Sequence, residues 1–408
     1  MEDIEVSGKH IKLRFVIFII ALIVGVSAFA IGIYQITNKE TGYYEIKATA
    51  DETAPLYSNG YSFFCFVDGK SDDIKSNLTK IASLYSESLG RISRLLDPVE
   101  TYDGYVNLAT LNQHPGEDVK LPAELYAVLT DALARSEAGG FDLFDGAEKA
   151  LWQEVLYLED AEAFDPEIDP YQYERMVAAW TVIRGADRPT LTVVDEASGT
   201  VRLEVSAAYR EVMERHEIEA PILDFGVLRE AYTLQYVRQK LIENGFSKGY
   251  LRSVSGMNVM LPQTEAGILK MYGYLDGKAV AAAEITLGKG AACCELRSFS
   301  MGEAGYYTSN GVLRHPYPGP GWEPNRDILT VWTTSTRGDI VDATVKALML
   351  YAAAPEDAKQ MLIDFGTKQT SAAMISAGEP LTIFSDPLHT ESIVPNVKNG
   401  YAVSQPAA

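Results

Sequence analysis

The chain has 408 residues, of which 47% are hydrophobic and 22% are charged, and its formal net charge is −21. This composition is typical of a globular protein with one or two domains, and the acidic balance argues against general nucleic-acid binding, which requires basic patches. Three cysteines, two of them adjacent, provide neither a disulfide framework nor a zinc-binding pattern.

The first element along the chain is an apolar run without a charged residue, at residues 15–36. About 20 helical residues cross the hydrocarbon core of a bilayer, so this run predicts a transmembrane helix. Three basic residues within residues 1–14 favour a cytoplasmic N-terminus. A cleavable signal peptide is the alternative, because residues 28–30 (AFA) resemble a cleavage site, but the apolar run continues beyond them. We therefore expect a single-pass signal anchor in the cell membrane, with the rest of the chain extracytoplasmic.

The segment after the anchor predicts a linker followed by one α+β domain. Residues 37–56 are polar and irregular, and the domain is expected to span residues 57–408. Hydrophobic periodicity predicts a strand over 57–67, helices over 76–96 and 122–138, a hairpin over 190–205, a helix over 227–244, a hairpin over 267–287, and helices over 339–351 and 355–365. These elements alternate without a strict βαβ rhythm, which favours α+β over a doubly wound sheet.

Two stretches carry candidate chemistry. In APILDFGVLREAY, an apolar approach predicts a strand that ends at Asp224 and Gly226, followed by the start of a helix. The N-terminus of a helix suits a phosphate group, but Glu230 places a carboxylate in the first turn. In DIVDATVKALML, Asp342 and Lys346 lie four residues apart on a helix. Taken alone, such a pair is an ordinary surface ion pair that contributes ~0.3–0.5 kcal/mol.

Six stretches in a fixed order along the chain resemble motifs of the ApbE-type FAD:protein FMN transferases. They are RISRLLDPVETYDGYVNLATLN, LPAELYAVLTDALARSEAGGFDLFDGAEKALW, ILDFGVLREAY, SGMNVML, YYTSN and VDATVKALML. The resemblance covers roughly residues 57–375. It implies a flavin-transferase-like α+β ectodomain that binds FAD and a divalent cation such as Mg²⁺. It also implies transfer of FMN from FAD to a serine or threonine of a target protein, with release of AMP.

The resemblance implies a role for each matching residue. The cofactor-binding positions correspond to Asp142, Asp224, Gly226, Tyr232, Gly256, Asn258, Thr308 and Ser309. The metal-binding positions correspond to Asp342, the backbone carbonyl of Arg229, and Lys346. The candidate catalytic residues are His315, in a loop rich in turn-forming residues, and Glu230.

Two of these residues differ in charge from the pattern that they match. Glu230 stands where the family has a lysine, and Lys346 stands where it has a hydroxyl metal ligand. A charged lysine has three donors and no acceptor, so Lys346 cannot ligate Mg²⁺. The sequence therefore leaves three functions open. The first is a membrane-anchored FMN transferase acting on a redox protein, and the second is a catalytically impaired flavin-binding or assembly module of the same fold. The third is a structural ectodomain without a ligand.

Overall fold

The structure is a computed structural model, and most of the chain after the apolar run can be described in it. The described residues are 40–49, 60–137, 139, 141–299, 306–315, 317, 319, 321–377 and 381–406. The predicted anchor at residues 15–36 lies outside this part of the chain. None of the helices in the described ranges is long and apolar enough to cross a bilayer.

The described residues form helices and strands that alternate irregularly. The helices are α1 (Ser71–Leu95), α2 (Leu108–Gln113), α3 (Ala123–Glu137), α4 (Gly146–Leu156), α5 (Pro170–Arg184), α6 (Ala207–Arg215), α7 (Leu228–Glu243), α8 (Ile340–Ala352) and α9 (Pro355–Phe365). The strands of the first half are β1 (Gly42–Ile46), β2 (Tyr61–Val67), β3 (Asp118–Lys120), β4 (Thr190–Asp195) and β5 (Thr200–Glu204). Those of the second half are β6 (Gly249–Ser253), β7 (Met257–Met260), β8 (Gly267–Leu275), β9 (Lys278–Leu287), β10 (Ala292–Arg297), β11 (Tyr307–Ser309), β12 (Val312–Arg314), β13 (Ile328–Ser335), β14 (Thr370–Ser376), β15 (Thr382–Ser385), β16 (Ile393–Pro395) and β17 (Ala402–Ser404).

A nine-stranded sheet organises the domain, in the order β1-β2-β6-β7-β10-β13-β14-β15-β17. Neighbouring strands run antiparallel except β15 and β17, which are parallel. Every residue of β13 is buried because both faces of the sheet are covered. The α+β prediction is confirmed by this arrangement.

Helices cover one face of this main sheet. Helix α1 presents Ile74, Ile81, Leu89 and Ile92 as a buried stripe at helical spacing, α7 packs against α1, and α8 packs against α7. A three-stranded sheet in the order β16-β9-β8 covers part of the other face. The two faces therefore offer two chemically different places for a ligand.

The helical part of the chain forms a smaller core on one side. Helices α4, α5 and α6 enclose Leu151, Trp152, Met176, Ile183 and Tyr209. The loop that precedes α7 passes close to this core at Gly146. A Cβ at this position would lie only 1.9 Å from the carbonyl oxygen of Pro221 in that loop. The predicted helices and both hairpins are confirmed, with boundaries shifted by up to five residues.

The linker predicted over residues 37–56 is wrong for residues 42–46. Strand β1 pairs antiparallel with β2 in the register Gly42↔Val67 to Ile46↔Phe63 and forms the edge of the main sheet. The alternation of exposed and buried residues in β1 covers only five residues among polar neighbours. The strand nevertheless buries Ile46 in the core beneath the helices.

The strand predicted before Asp224 is also absent, since no strand is assigned between α6 and α7. The backbone there bonds to side chains and loops instead. The N–H of Leu223 donates to Oδ1 of Asn112 at 2.8 Å, and the N–H of Asp224 donates to the carbonyl of Leu143 at 3.0 Å.

We expect Ile46→Ala to lower the free energy of unfolding by roughly 2–4 kcal/mol, because it deletes a side chain that is 5% exposed in the core. Urea unfolding monitored by circular dichroism measures this. The matched control is Lys47→Ala, whose side chain is exposed on the next residue and whose loss is expected to be neutral. Equal stability of the two variants would contradict the placement of β1 in the folded core.

Candidate functional site

The turn at Asp224 is built around a lysine that no motif identified. Nζ of Lys149 donates to the carbonyl of Asp224 at 2.8 Å, and Oδ1 of Asp224 accepts from the N–H of Gly226 at 2.8 Å. Gly226 has φ +52°, and a Cβ there would lie 2.7 Å from Cε of Lys149. The turn therefore favours glycine, because this left-handed backbone strains any L side chain.

Lys149 belongs to a buried cluster of charges on α4. Its Nζ lies 2.5 Å from Oδ1 of Asp145. Burial disfavours its charge, but the carboxylate of Asp145 holds the pKa of Lys149 above its ordinary value. Burial raises the pKa of Asp145 to about 6 and the pKa of Glu148 to about 8.

Asp142, a predicted cofactor-binding residue, lies at the edge of this cluster. Its carboxylate is 3.1 Å from Nη2 of Arg188 and 3.5 Å from Nη1 of Arg184, and it accepts from the N–H of Phe144 at 3.0 Å. Arg184 also reaches Glu148 at 3.4 Å. Through its contact with Arg184, Asp142 joins the C-terminal end of α5 to the turn before α4.

A second network joins three predicted residues at the N-terminus of α8. The hydroxyl of Tyr232 donates to Oδ2 of Asp131 at 2.6 Å, and burial, together with that carboxylate, raises the pKa of Tyr232. Arg135 bonds the same Oδ2 at 2.8 Å and lies 4.0 Å from Oδ1 of Asp342. Nζ of Lys346 lies 2.9 Å from the other oxygen of Asp342, so two cations face this carboxylate.

Asp342 and Lys346 line a cleft of about 380 Å³, and both side chains are only partly exposed. Its lining residues are Ser335, Arg337, Asp339, Asp342, Lys346, Asp364, Phe365, Thr367, Gln369 and Thr370. Nζ of Lys346 also donates to Oγ1 of Thr370 at 3.0 Å, so the ammonium group is held across the cleft.

These residues do not fit Mg²⁺. The ammonium group of Lys346 occupies one oxygen of Asp342, and the carbonyl of Arg229, the third predicted ligand, accepts from Oγ1 of Thr233 at 2.7 Å. Across the described ranges, no group of three or more His, Cys, Asp or Glu side chains is arranged to hold a metal ion. A hard cation needs several oxygen ligands, and neither the ammonium group of Lys346 nor the engaged carbonyl of Arg229 offers one.

Glu230 bonds to the turn that precedes β7. It accepts from the hydroxyl of Ser255, and burial raises the pKa of Glu230. The next residue, Gly256, has φ +110°, and a Cβ there would lie 2.4 Å from the carbonyl of Glu295. Glu230 therefore connects the first turn of α7 to the turn that carries Gly256.

Gly256 and Asn258 line a second cleft of about 520 Å³ on the face of the main sheet opposite α8. Its lining residues are Tyr250, Arg252, Ser253, Val254, Gly256, Asn258, Met260, Gly267, Ile268, Leu269, Lys270, Tyr272, Glu295, Arg297 and Trp332. This volume is within the range of small-molecule sites.

The second cleft combines positive charge with aromatic rings. Three cations, on Arg252, Lys270 and Arg297, face a single carboxylate, that of Glu295. Glu295 lies 3.6 Å from Arg297, and burial raises the pKa of Glu295 to about 7. The indole Nε1 of Trp332 is buried without a hydrogen-bond partner. The arrangement suits an anion that carries a flat ring.

His315, predicted to be catalytic, is fully buried in a structural position. Its Nε2 lies 2.7 Å from the carbonyl of Asn325, and its Nδ1 accepts from the N–H of Tyr317 at 3.2 Å. Burial lowers the pKa of His315 to about 4, so the ring is neutral at pH 7. Both nitrogens are engaged, which favours a structural role over proton transfer.

Thr308 and Ser309 lie on β11, away from both clefts. Strand β11 packs on the 3₁₀ helix Ala161–Phe164, and the hydroxyl of its first residue, Tyr307, donates to Oδ2 of Asp165 at 2.8 Å. The buried Arg314 on β12 also bonds this carboxylate, at 2.7 Å. The hairpin is thus fixed to the helical part of the chain.

Comparison with known proteins identifies the fold. No protein-family model and no curated protein sequence matches this chain. The ApbE protein of Thermotoga maritima has 18% identity and a TM-score of 0.59, covering 86% of this chain and 99% of its own. The flavin transferase ApbE of Vibrio cholerae has 12% identity and a TM-score of 0.53, with coverage of 86% and 99%. The apo flavinyl transferase ApbE of Pseudomonas stutzeri has 15% identity and a TM-score of 0.53, with coverage of 87% and 97%. The chain has the ApbE-type fold.

We expect Glu148→Gln to flatten the pH dependence of stability. The pKa of Glu148 in the folded protein, about 8, exceeds its ordinary value of 4.5, so the folded state holds a proton that the unfolded chain releases. The free energy of unfolding then falls as the pH rises from about 4.5 to about 8. Urea unfolding at several pH values should show that the free energy of unfolding declines by roughly 5 kcal/mol more in the wild type than in Glu148→Gln. Glu159→Gln, at an exposed position beyond the end of α4, should keep the wild-type profile. Identical profiles for wild type and Glu148→Gln would contradict the buried cluster.

Proposed function

We propose that this chain is an extracytoplasmic flavin-binding or assembly module, anchored by residues 15–36, in which metal-dependent FMN transfer is impaired. The observation that carries the proposal is the contact of Lys346 with Asp342 at 2.9 Å and with Thr370 at 3.0 Å. It is supported by the fold, which the chain shares with proteins described as flavin transferases.

The second cleft is the proposed site for FAD. Its cations, on Arg252, Lys270 and Arg297, can neutralise the two phosphates of the dinucleotide. The ring of Tyr272 offers apolar surface for a flat ring system, and the buried Trp332 below it retains an indole N–H without a protein acceptor. Gly256 lets this turn pack against the carbonyl of Glu295 at the edge of the cleft.

The impairment follows from charge. Phosphoryl-type transfer is catalysed mainly by positioning and by neutralising charge on the phosphates, which a divalent cation does in the family that the chain resembles. Here one ammonium charge stands on Asp342, and its protons are already donated to Asp342 and Thr370. The ammonium group of Lys346 thus lies where we expect the metal ion. It supplies one positive charge where a divalent cation supplies two, and it cannot accept electron pairs from phosphate oxygens as a metal ion does.

The alternative function is an active FAD:protein FMN transferase that modifies a serine or threonine of a redox protein. Asp342 favours it, because this carboxylate is retained in a cleft at the N-terminus of α8. Activity would then require Mg²⁺ to displace the ammonium group of Lys346 and the phosphates of FAD to lie in the cleft of Asp342 instead of the second cleft. Metal dependence separates the two functions.

We expect FAD to bind the wild-type protein equally well with and without Mg²⁺, because the phosphate charge is met by side chains. Quenching of flavin fluorescence during titration measures this affinity. Lys346→Thr restores a hydroxyl beside Asp342 and should create Mg²⁺ binding, detectable by calorimetry with Mg²⁺ alone. The control is Lys359→Thr on the neighbouring helix α9, which should not create Mg²⁺ binding. Mg²⁺-dependent labelling of a co-expressed partner with FMN by the wild type would instead establish the transferase.

We expect Lys270→Gln and Arg297→Gln each to weaken FAD binding about tenfold, since each removes one charge-assisted contact. Lys278→Gln is the matched control, because Lys278 is exposed on β9 and does not line the cleft. The same titration provides the readout. Unchanged affinity in both cleft variants would place FAD elsewhere in the protein.

A further inference from the structure

Strand β8 lies at the edge of its sheet, and the second cleft is built along it. Among the described residues, β8 is the last strand of the three-stranded sheet and pairs with β9 on one side. Five of its residues line the cleft, namely Gly267, Ile268, Leu269, Lys270 and Tyr272. Other lining residues belong to β6 and β7 of the main sheet. Backbone groups on the free edge of β8 are therefore available to a ligand in this cleft.

The hydrogen bonds of Tyr272 show which backbone groups of β8 face away from β9. The N–H of Tyr272 donates to Oε1 of Glu295 at 2.8 Å, and its carbonyl accepts from Oγ1 of Thr330 at 2.7 Å. Both groups thus point toward the main sheet. Backbone groups alternate between the two edges of a strand, so those of Lys270 and Ile268 point to the same side as those of Tyr272.

The two-residue turn of the β8–β9 hairpin gives the same alternation. Leu275 and Lys278 form the pair nearest the turn, and such a pair exchanges backbone hydrogen bonds. Counting back along β8 in steps of two, Gly273 and Met271 face β9 as well. The register shift in this hairpin inserts Ala282 into β9, so the alternation within β8 is not interrupted.

The outward backbone groups of Ile268 and Lys270 have no hydrogen-bond partner in the part of the chain that the structure describes. In order along the strand, the N–H of Ile268, its carbonyl and the N–H of Lys270 form a row of donor, acceptor and donor. Such an edge can pair with another strand, but a lysine within it is a device by which proteins discourage that pairing. A small flat molecule with a complementary polar edge is the better match for these groups.

We propose that the free edge of β8 recognises the pyrimidine edge of the flavin ring, an inference that rests on the proposed function. This edge of the flavin has the carbonyl groups C2=O and C4=O on either side of N3–H. Its row of acceptor, donor and acceptor complements the three backbone groups one for one. Adenine, at the other end of FAD, offers one donor beside one acceptor and matches only two of them. The flavin end of FAD, and not the adenine end, therefore lies against β8.

Titration of the purified full-length chain with FMN and its analogues, followed by calorimetry, tests this recognition. In 3-methyl-FMN a methyl group replaces the hydrogen on N3, while the phosphate is kept. We expect it to bind about tenfold more weakly than FMN, because the carbonyl of Ile268 loses its donor. The control is 5-deaza-FMN, which is altered in the centre of the ring system and should bind as FMN does. Equal affinities for FMN and 3-methyl-FMN, or binding of AMP as tight as that of FMN, would overturn the proposal.

A proline substitution tests the protein side of the same contact. Ile268→Pro removes the outward N–H, and proline is tolerated in an edge strand where the N–H faces away from the neighbouring strand. We expect a folded protein whose affinity for FMN is about tenfold lower than that of the wild type. The matched control is Val193→Pro on the edge strand β4, which lies outside the cleft and should keep wild-type affinity.

Urea unfolding of Ile268→Pro separates the remaining outcomes. Loss of the folded state would show that this N–H bonds β9, and wild-type affinity in the folded variant would show that it does not contact the flavin. Either result would overturn the proposal. FAD is titrated in parallel with FMN. If the wild type binds neither, the proposed function fails together with this inference, whereas FAD binding without an effect of the N3 methyl group refutes this inference alone.

Discussion

The burial of strand β13 on both faces is the constraint on which the arrangement of the two clefts depends. Along this strand the side chains alternate, so that Thr333 points to the helices and its hydroxyl bonds the carbonyl of Ala343 at 2.6 Å. Its neighbour Trp332 points to the opposite face and lines the second cleft. The last residue, Ser335, lines the cleft of Asp342. One strand thus fixes a polar cleft on the helical side and an aromatic, cationic cleft on the other side.

The residues with altered charge are each compensated by a local partner. Lys346 has Asp342 and Thr370, and Glu230 has the hydroxyl of Ser255. A buried charge without a partner would cost several kcal/mol, and these neighbouring side chains remove that cost. Both charged residues are therefore part of the folded structure.

The sequence predicted the helices and hairpins well because their apolar spacing is local. It missed β1, whose five residues become a strand only by pairing with β2, and it placed a strand before Asp224 where Asn112 bonds the backbone instead. It also missed Lys149 and Lys270, since nothing in their local sequence shows what they face. His315 matched a motif, yet its burial and its bonds to Asn325 and Tyr317 depend on distant packing that no motif contains.

Two places on this fold are candidates to receive an anion, and their charges decide between them. At the turn of Asp224 the buried cluster sets the carboxylates of Asp142, Asp145 and Asp224 against the cations of Lys149, Arg184 and Arg188, while Glu148, with a pKa of about 8, is largely protonated at neutral pH. The second cleft sets three cations against the single carboxylate of Glu295, whose raised pKa reduces even that charge near neutral pH. A unit charge at 4 Å contributes about 4 kcal/mol at an effective dielectric constant of about 20, so a difference of this size outweighs the attraction of a helix N-terminus, ~0.3–1 kcal/mol. The second cleft therefore carries the larger net positive charge, and the contact of Lys149 with Asp224 holds α4 and α7 together.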